Sequence, residues 1–177
     1  MERYVLVCNI EGDALRFHEK ITSEVCRKFN KKRQKLPAHF TIKAPFETDQ
    51  IDDMINVLEK FSRSKIKTSI KIQDFGKFRQ DVVYMNVEVS DEAKQIHDEL
   101  IDEIAQIPWI EFKKNEGKDR VFHCTILSRR IQDKFNEIWE YVNQYECEFD
   151  LYFDNLSLYI WRNNTWEIYK KFKFNEA

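Results

Sequence analysis

Glycine and proline are scarce, with three of each in 177 residues. That shortage excludes a low-complexity linker, so the chain is read as a single folded unit, residues 1–177. Its four cysteines are Cys8, Cys26, Cys124 and Cys147, and no two form a C-x-x-C pair. A zinc site therefore has no sequence support, and no metal or cofactor is expected. Cys8 and Cys124 fall within apolar runs, where cysteine behaves as a small buried hydrophobe. No apolar run approaches the ~18 residues of a membrane-spanning helix. The opening segment MERYVLVCNIEGD has neither a long apolar core nor a small-residue cleavage site. A cytoplasmic protein with reduced thiols and no membrane partner is the expectation. Excess charge is also missing: 29 Lys and Arg stand against 31 Asp and Glu, a net charge of −2. Global attraction to long nucleic acid is thereby excluded, while a local basic patch or a small phosphorylated ligand stays open.

Hydrophobic residues make up 42% and charged residues 34%, too apolar for a disordered chain. Periodicity places strands at 4–10, 39–44, 66–73, 82–89, 121–127, 147–153, 156–161 and 165–174, with Asn163-Asn164 as a turn. In 66–73, Ile66, Thr68, Ile70 and Ile72 are expected on one face. Helices are expected at 13–30, 50–62, 92–107 and 131–145, the third capped by Ser90. His18 and His97 fall on two of these helices without a motif and read as surface or boundary residues. Both halves run strand, helix, strand, helix, strand, strand, which is an internal repeat of element order. The expected fold class is α+β with pseudo-two-fold symmetry. It has two lobes, roughly 1–81 and 82–177, whose sheets could exchange terminal strands. Antiparallel sheets would line a central cleft and helices would lie outside.

Two four-residue segments stand at matching places in the two halves: His39-Phe40-Thr41-Ile42 and His123-Cys124-Thr125-Ile126. With only four histidines in the chain, chance seldom gives two His-x-Thr triplets in matching strand contexts. Strand alternation points His and Thr one way and the apolar residues the other. If the two strands face each other as central neighbours, two imidazoles and two hydroxyls converge. Imidazole can take a proton from a nucleophile and give one to a leaving oxygen near neutral pH. Thr41 and Thr125 can donate to the non-bridging oxygens of a phosphodiester. Alternation also puts Lys43 on the face of Thr41, as a candidate phosphate cation. Arg129 and Arg130 follow the second motif and could reach the same anion.

The stretch Leu36-Pro37-Ala38-His39-Phe40-Thr41-Ile42-Lys43-Ala44-Pro45-Phe46 closely resembles the first motif of the 2H phosphoesterases, the group of bacterial 2′-5′ RNA ligase-like proteins and cyclic nucleotide phosphodiesterases. Phe75-Gly76-Lys77-Phe78, followed by the strand VVYMNVEV, resembles the middle segment of that family. The second motif departs from the pattern: no proline precedes its histidine, and its basic residue comes one place late, at Arg129. The resemblance spans nearly the whole chain. It implies metal-independent hydrolysis of a 2′,3′-cyclic phosphate, on a nucleotide or an RNA end, by His39 and His123. Two other readings are kept: reversible 2′-5′ ligation of RNA, and a non-catalytic nucleotide- or RNA-end-binding module. Of the aromatic residues, Tyr4, Phe46, Phe78, Tyr84, Trp109 and Trp161 are candidates to stack a base. The basic run Lys28, Lys31, Lys32, Arg33 and Lys35 could guide an RNA strand.

Overall fold

A computed structural model describes all of residues 1–177. Strands β1 (Glu2–Asn9), β2 (His39–Thr48), β3 (Thr68–Phe78), β4 (Val82–Val89), β5 (His123–Ser128), β6 (Glu148–Phe153), β7 (Asn155–Arg162) and β8 (Thr165–Lys173) alternate with helices α1 (Gly12–Phe29), α2 (Ile51–Arg63), α3 (Asp91–Ala105) and α4 (Phe135–Val142). Two four-stranded antiparallel sheets result, in the orders β2-β1-β7-β8 and β5-β4-β3-β6. The α+β class with two antiparallel sheets is as expected. Each sheet draws strands from both halves of the chain. No helix is long and apolar enough to cross a membrane.

β1 is an inner strand, and Tyr4 to Cys8 are all buried although they alternate between faces. One continuous core contains Leu6, Cys8, Phe40, Ile42, Ile72, Met85, Cys124, Ile126 and Leu158; a small separate cluster of Val5, Val7 and Tyr159 fills the opposite face of the first sheet. The Ser90 side chain caps α3 by accepting from the Ala93 N–H at 3.1 Å. Asn163 and Asn164 both adopt positive φ, the geometry of a tight hairpin turn between β7 and β8.

Four local expectations are corrected. Ile66 is exposed and lies before β3, because only an isolated bridge to Asn175 holds it. The fourth helix opens with a 3-10 turn at Gln132–Lys134 and ends at Val142. His18 and His97 are buried, 3% and 1% exposed, because each occupies the apolar stripe of its helix. Ala14, His18, Ile21 and Val25 share one stripe, as do Ala93, His97, Leu100 and Ile104. Finally, the motif strands β2 and β5 are edge strands, not central ones. They meet where the two sheets abut.

Candidate active site

The junction between β2 and β5 is fixed by side chains on both. The Cys124 side chain lies against the His39 backbone N–H, and Phe40 meets Phe122 edge-on at 5.8 Å. Arg120 donates through one terminal nitrogen to the Ile42 carbonyl at 2.8 Å. Burial pushes the Cys124 thiol up to about 12, so it fills space and offers no thiolate.

Both motif histidines are held in the same way. His39 Nδ1 donates to the Pro37 carbonyl at 2.7 Å, and His123 Nδ1 donates to the Val121 carbonyl at 2.9 Å. Each bond spans two residues back along the chain. With Nδ1 committed as donor, the neutral ring keeps its lone pair on Nε2. Neither Nε2 has a protein partner, and neither is sealed from solvent. The hydroxyls of Thr41 and Thr125 are likewise unpartnered and open. The other two histidines differ on this point. His18 Nε2 bonds the Thr125 carbonyl at 2.8 Å while its Nδ1 is sealed and unpartnered. His97 Nε2 is sealed as well, with its ring edge-on to Phe122 at 4.8 Å. Of four histidines, only the motif pair therefore presents a free ring nitrogen to solvent.

Strand register explains which side chains share the site. Residues directly opposite in an antiparallel pair project to the same face. Asn9 pairs with His39 and Val7 with Thr41, but Leu6 pairs with Lys43, skipping Ile42. This bulge reverses the alternation, so Lys43 shares the buried face of Leu6 and not that of Thr41. The same bulge occurs in the second motif. Tyr84 pairs with Thr125 and Val83 with Leu127, skipping Ile126. Lys43 thus occupies the place of the buried Leu127. It is 1% exposed, and its ammonium lies 2.9 Å from Glu116 Oε1. Glu116 Oε1 also accepts from the Ala44 N–H at 2.9 Å, and Oε2 from the Lys113 N–H at 2.6 Å. The next residue, Gly117, has φ +94°, a conformation that suits only glycine. The expected role of Lys43 is corrected accordingly: its ammonium is occupied by a carboxylate in the interior. Together Lys43 and Glu116 latch the loop before β5 onto the edge of β2.

Arg129 and Arg130 end β5 with positive φ values of 64° and 55°, and both side chains point outward into solvent. Among the aromatic candidates, Phe78 and Tyr84 both pack against His123, with ring centroids 4.9 and 5.2 Å away, and against each other at 4.6 Å. A Cβ on Gly76 would meet the Tyr84 ring at 2.4 Å, so this glycine makes room for that cluster. Tyr4, Phe46 and Trp109 stack on one another instead, and Trp161 pairs with Trp166 beside the hairpin turn. In the basic run, Lys31 is paired with Asp133 and Lys35 caps the Asn164 carbonyl. Arg120 was not anticipated. It belongs to neither motif, although its place three residues ahead of His123 was visible in the sequence.

Burial holds His39 down to about 4, and His18 and His123 add to the cost of charging it. His123 is also pushed down, first by burial and then by the Arg120 charge. Burial takes His97 down to about 4 as well. Unfolded histidines titrate near ~6.5. Between that value and about 4 the unfolded chain binds more protons than the native one, so stability rises with pH across this window and is lost as pH falls through it. His39 and His97 should each contribute on the order of 3 kcal/mol to that loss. A thermal melt at pH 4.5 should fall well below one at pH 7, and His97→Phe should remove part of the difference. A melting temperature flat across the range would contradict these buried neutral rings.

With that geometry established, comparison with known proteins is decisive. Residues 11–165 match the family model of the 2′-5′ RNA ligase superfamily. The chain belongs to this family. Among curated relatives, a Bacillus licheniformis protein with the provisional name of phosphoesterase is 22% identical over 144 residues, covering 77% of this chain and 80% of its own. A Geobacillus thermodenitrificans protein of the same provisional name is 26% identical over 143 residues, covering 77% and 78%. Among solved structures, TT0787 of Thermus thermophilus superposes with a TM-score of 0.71 at 12% identity, covering 99% of both chains. LigT of E. coli, in its complex with NADP+, gives a TM-score of 0.62 at 11% identity, covering 98% of both. These superpositions establish a shared fold. LigT has also been solved with 3′-AMP, with ATP and with phosphate. The expected 2H phosphoesterase membership is thus shown, for this chain with its own two-histidine junction.

Proposed function

We propose that the chain hydrolyses a 2′,3′-cyclic phosphate, on a nucleotide or an RNA end, by acid–base catalysis between His39 and His123. The observation that supports it best is the pairing of open Nε2 atoms on these two rings, beside two open threonine hydroxyls. One ring Nε2 removes a proton from water, whose oxygen forms a bond to phosphorus. The bond from phosphorus to one ribose oxygen breaks, and the other ring delivers its proton to that oxygen. A phosphomonoester and a free hydroxyl result, so atoms and protons balance. His39 takes the base role because deeper burial keeps it neutral; the more exposed His123 takes the acid role. Thr41 and Thr125 donate to the non-bridging oxygens as their charge grows. Arg129, exposed past the end of β5, attracts the anion from outside. The nucleotide ligands named for LigT support a nucleotide substrate for this reading.

The test is a panel of 2′,3′-cyclic nucleotides and cyclic-phosphate RNA ends, assayed with and without EDTA. Turnover should be insensitive to the chelator. The kcat/KM profile should be bell-shaped. Both ring pKa values are depressed in the free protein, so the optimum should lie on the acid side of ~6.5. Paired RNA ends in the same panel detect ligation. Loss of turnover in EDTA with recovery on adding a divalent ion would refute the metal-independent mechanism.

A further inference from the structure

Arg120 is a guanidinium with an unusual lack of company. It stands in the loop before β5 and donates to the Ile42 carbonyl, at the bulge of the first motif. That places it where the two motif strands meet, near enough to His123 for its charge to disfavour protonation of that ring. It is half-buried, yet it forms no salt bridge, unlike Lys43 beside it. The acidic group that favours its charge is Glu116, which is already paired with Lys43 and accepts from two backbone N–H groups. Lys43, Glu116 and Arg120 therefore carry one net positive charge between the motif strands. Only one Arg120 nitrogen has a protein partner, and none of the rest is sealed from solvent. A half-buried cation that lacks a counterion but keeps open donors is an incomplete electrostatic arrangement. An anion with several oxygens completes it.

We propose that Arg120 is the phosphate-binding cation of this site, holding a non-bridging oxygen of the substrate between the two motif histidines. This rests on the phosphodiester reading above and deepens it. It assigns the role foreseen for Lys43 to a residue of the opposite motif. The bond to the Ile42 carbonyl fixes the guanidinium plane, so the remaining N–H fork is aimed before substrate arrives. Arg129, by contrast, is exposed and free to move, so it can attract an anion without orienting it.

The test uses the full chain and two probes, inorganic phosphate and a 2′,3′-cyclic nucleotide. Phosphate titration of the wild type should shift the side-chain N–H resonances of Arg120. Arg120→Met should weaken phosphate binding about 10- to 100-fold, the effect of losing charge-assisted hydrogen bonds. Arg120→Lys keeps the charge without the fork and should recover part of that affinity. Arg63→Met, at the exposed end of α2, should change it by less than about threefold. If Arg120→Met does not fold, the wild-type resonance shift and the lysine variant decide. Unmoved Arg120 resonances at saturating phosphate, or wild-type affinity in a folded Arg120→Met, would overturn the proposal. Phosphate binding through Arg120 with no turnover of any cyclic phosphate would uphold it and refute the hydrolase reading instead.

Discussion

His39→Ala and His123→Ala should each reduce turnover of a 2′,3′-cyclic phosphate by about 10²–10⁴-fold, since each removes one of two proton-transfer groups. The double variant should cost far less than the product of the two, because a site lacking either group has already lost the concerted step. Thr41→Val and Thr125→Val should cost less, about 10–10³-fold, as each removes one donor to the developing charge. Single-turnover kinetics on folded variants would measure this. The usual control, substitution of the remaining histidines, needs care in this protein. His18 supports the Thr125 carbonyl and His97 lies beneath Phe122, so alanine at either position opens a cavity under the second motif. Their variants should lose stability while changing KM little. If His18→Ala abolished turnover in a protein of unchanged stability, the catalytic pair would be wrongly assigned.

The motif pair and the element order were legible because they depend on short-range pattern: His-x-Thr on alternating strands, and helical spacing between them. Edge position was not legible, because strand neighbours are chosen by tertiary packing. β7 and β8 come last in the chain yet complete the sheet that begins with β1 and β2. The bulges at Ile42 and Ile126 were hidden for a related reason. A bulge is defined by the register of the partner strand, so alternation counted along one strand alone assigns Lys43 to the wrong face. His18 and His97 could have been recognised. Each stands four residues after a buried alanine and three before a buried Ile or Leu, which is core spacing whatever the residue type. Arg120 has no periodic context, and only its partial burial without an ion-pair partner distinguishes it, which requires the fold.

The second large effect is expected at the buried Lys43–Glu116 pair, where stability should change more than chemistry. Lys43→Leu leaves the Glu116 carboxylate buried with two backbone donors and no paired ammonium. Glu116→Gln leaves the Lys43 ammonium 1% exposed and without a countercharge. Either change should cost about 3–5 kcal/mol, the penalty of stranding one partner of an interior ion pair. The double variant Lys43→Leu/Glu116→Gln should recover most of that loss. Leucine is what the pseudo-equivalent position 127 holds at the same bulge, and glutamine keeps an acceptor for the Ala44 N–H. Urea unfolding of the four proteins gives the cycle directly. Steady-state kinetics on the same set then separates a latch from a phosphate ligand. A latch predicts that KM returns towards the wild-type value in the double variant, because the loop that carries Arg120 and leads into His123 is again seated on β2. A phosphate ligand predicts that KM rises equally in Lys43→Leu and in the double variant, whatever happens to stability. That second pattern would return Lys43 to the substrate and remove the need for Arg120 as the site's cation.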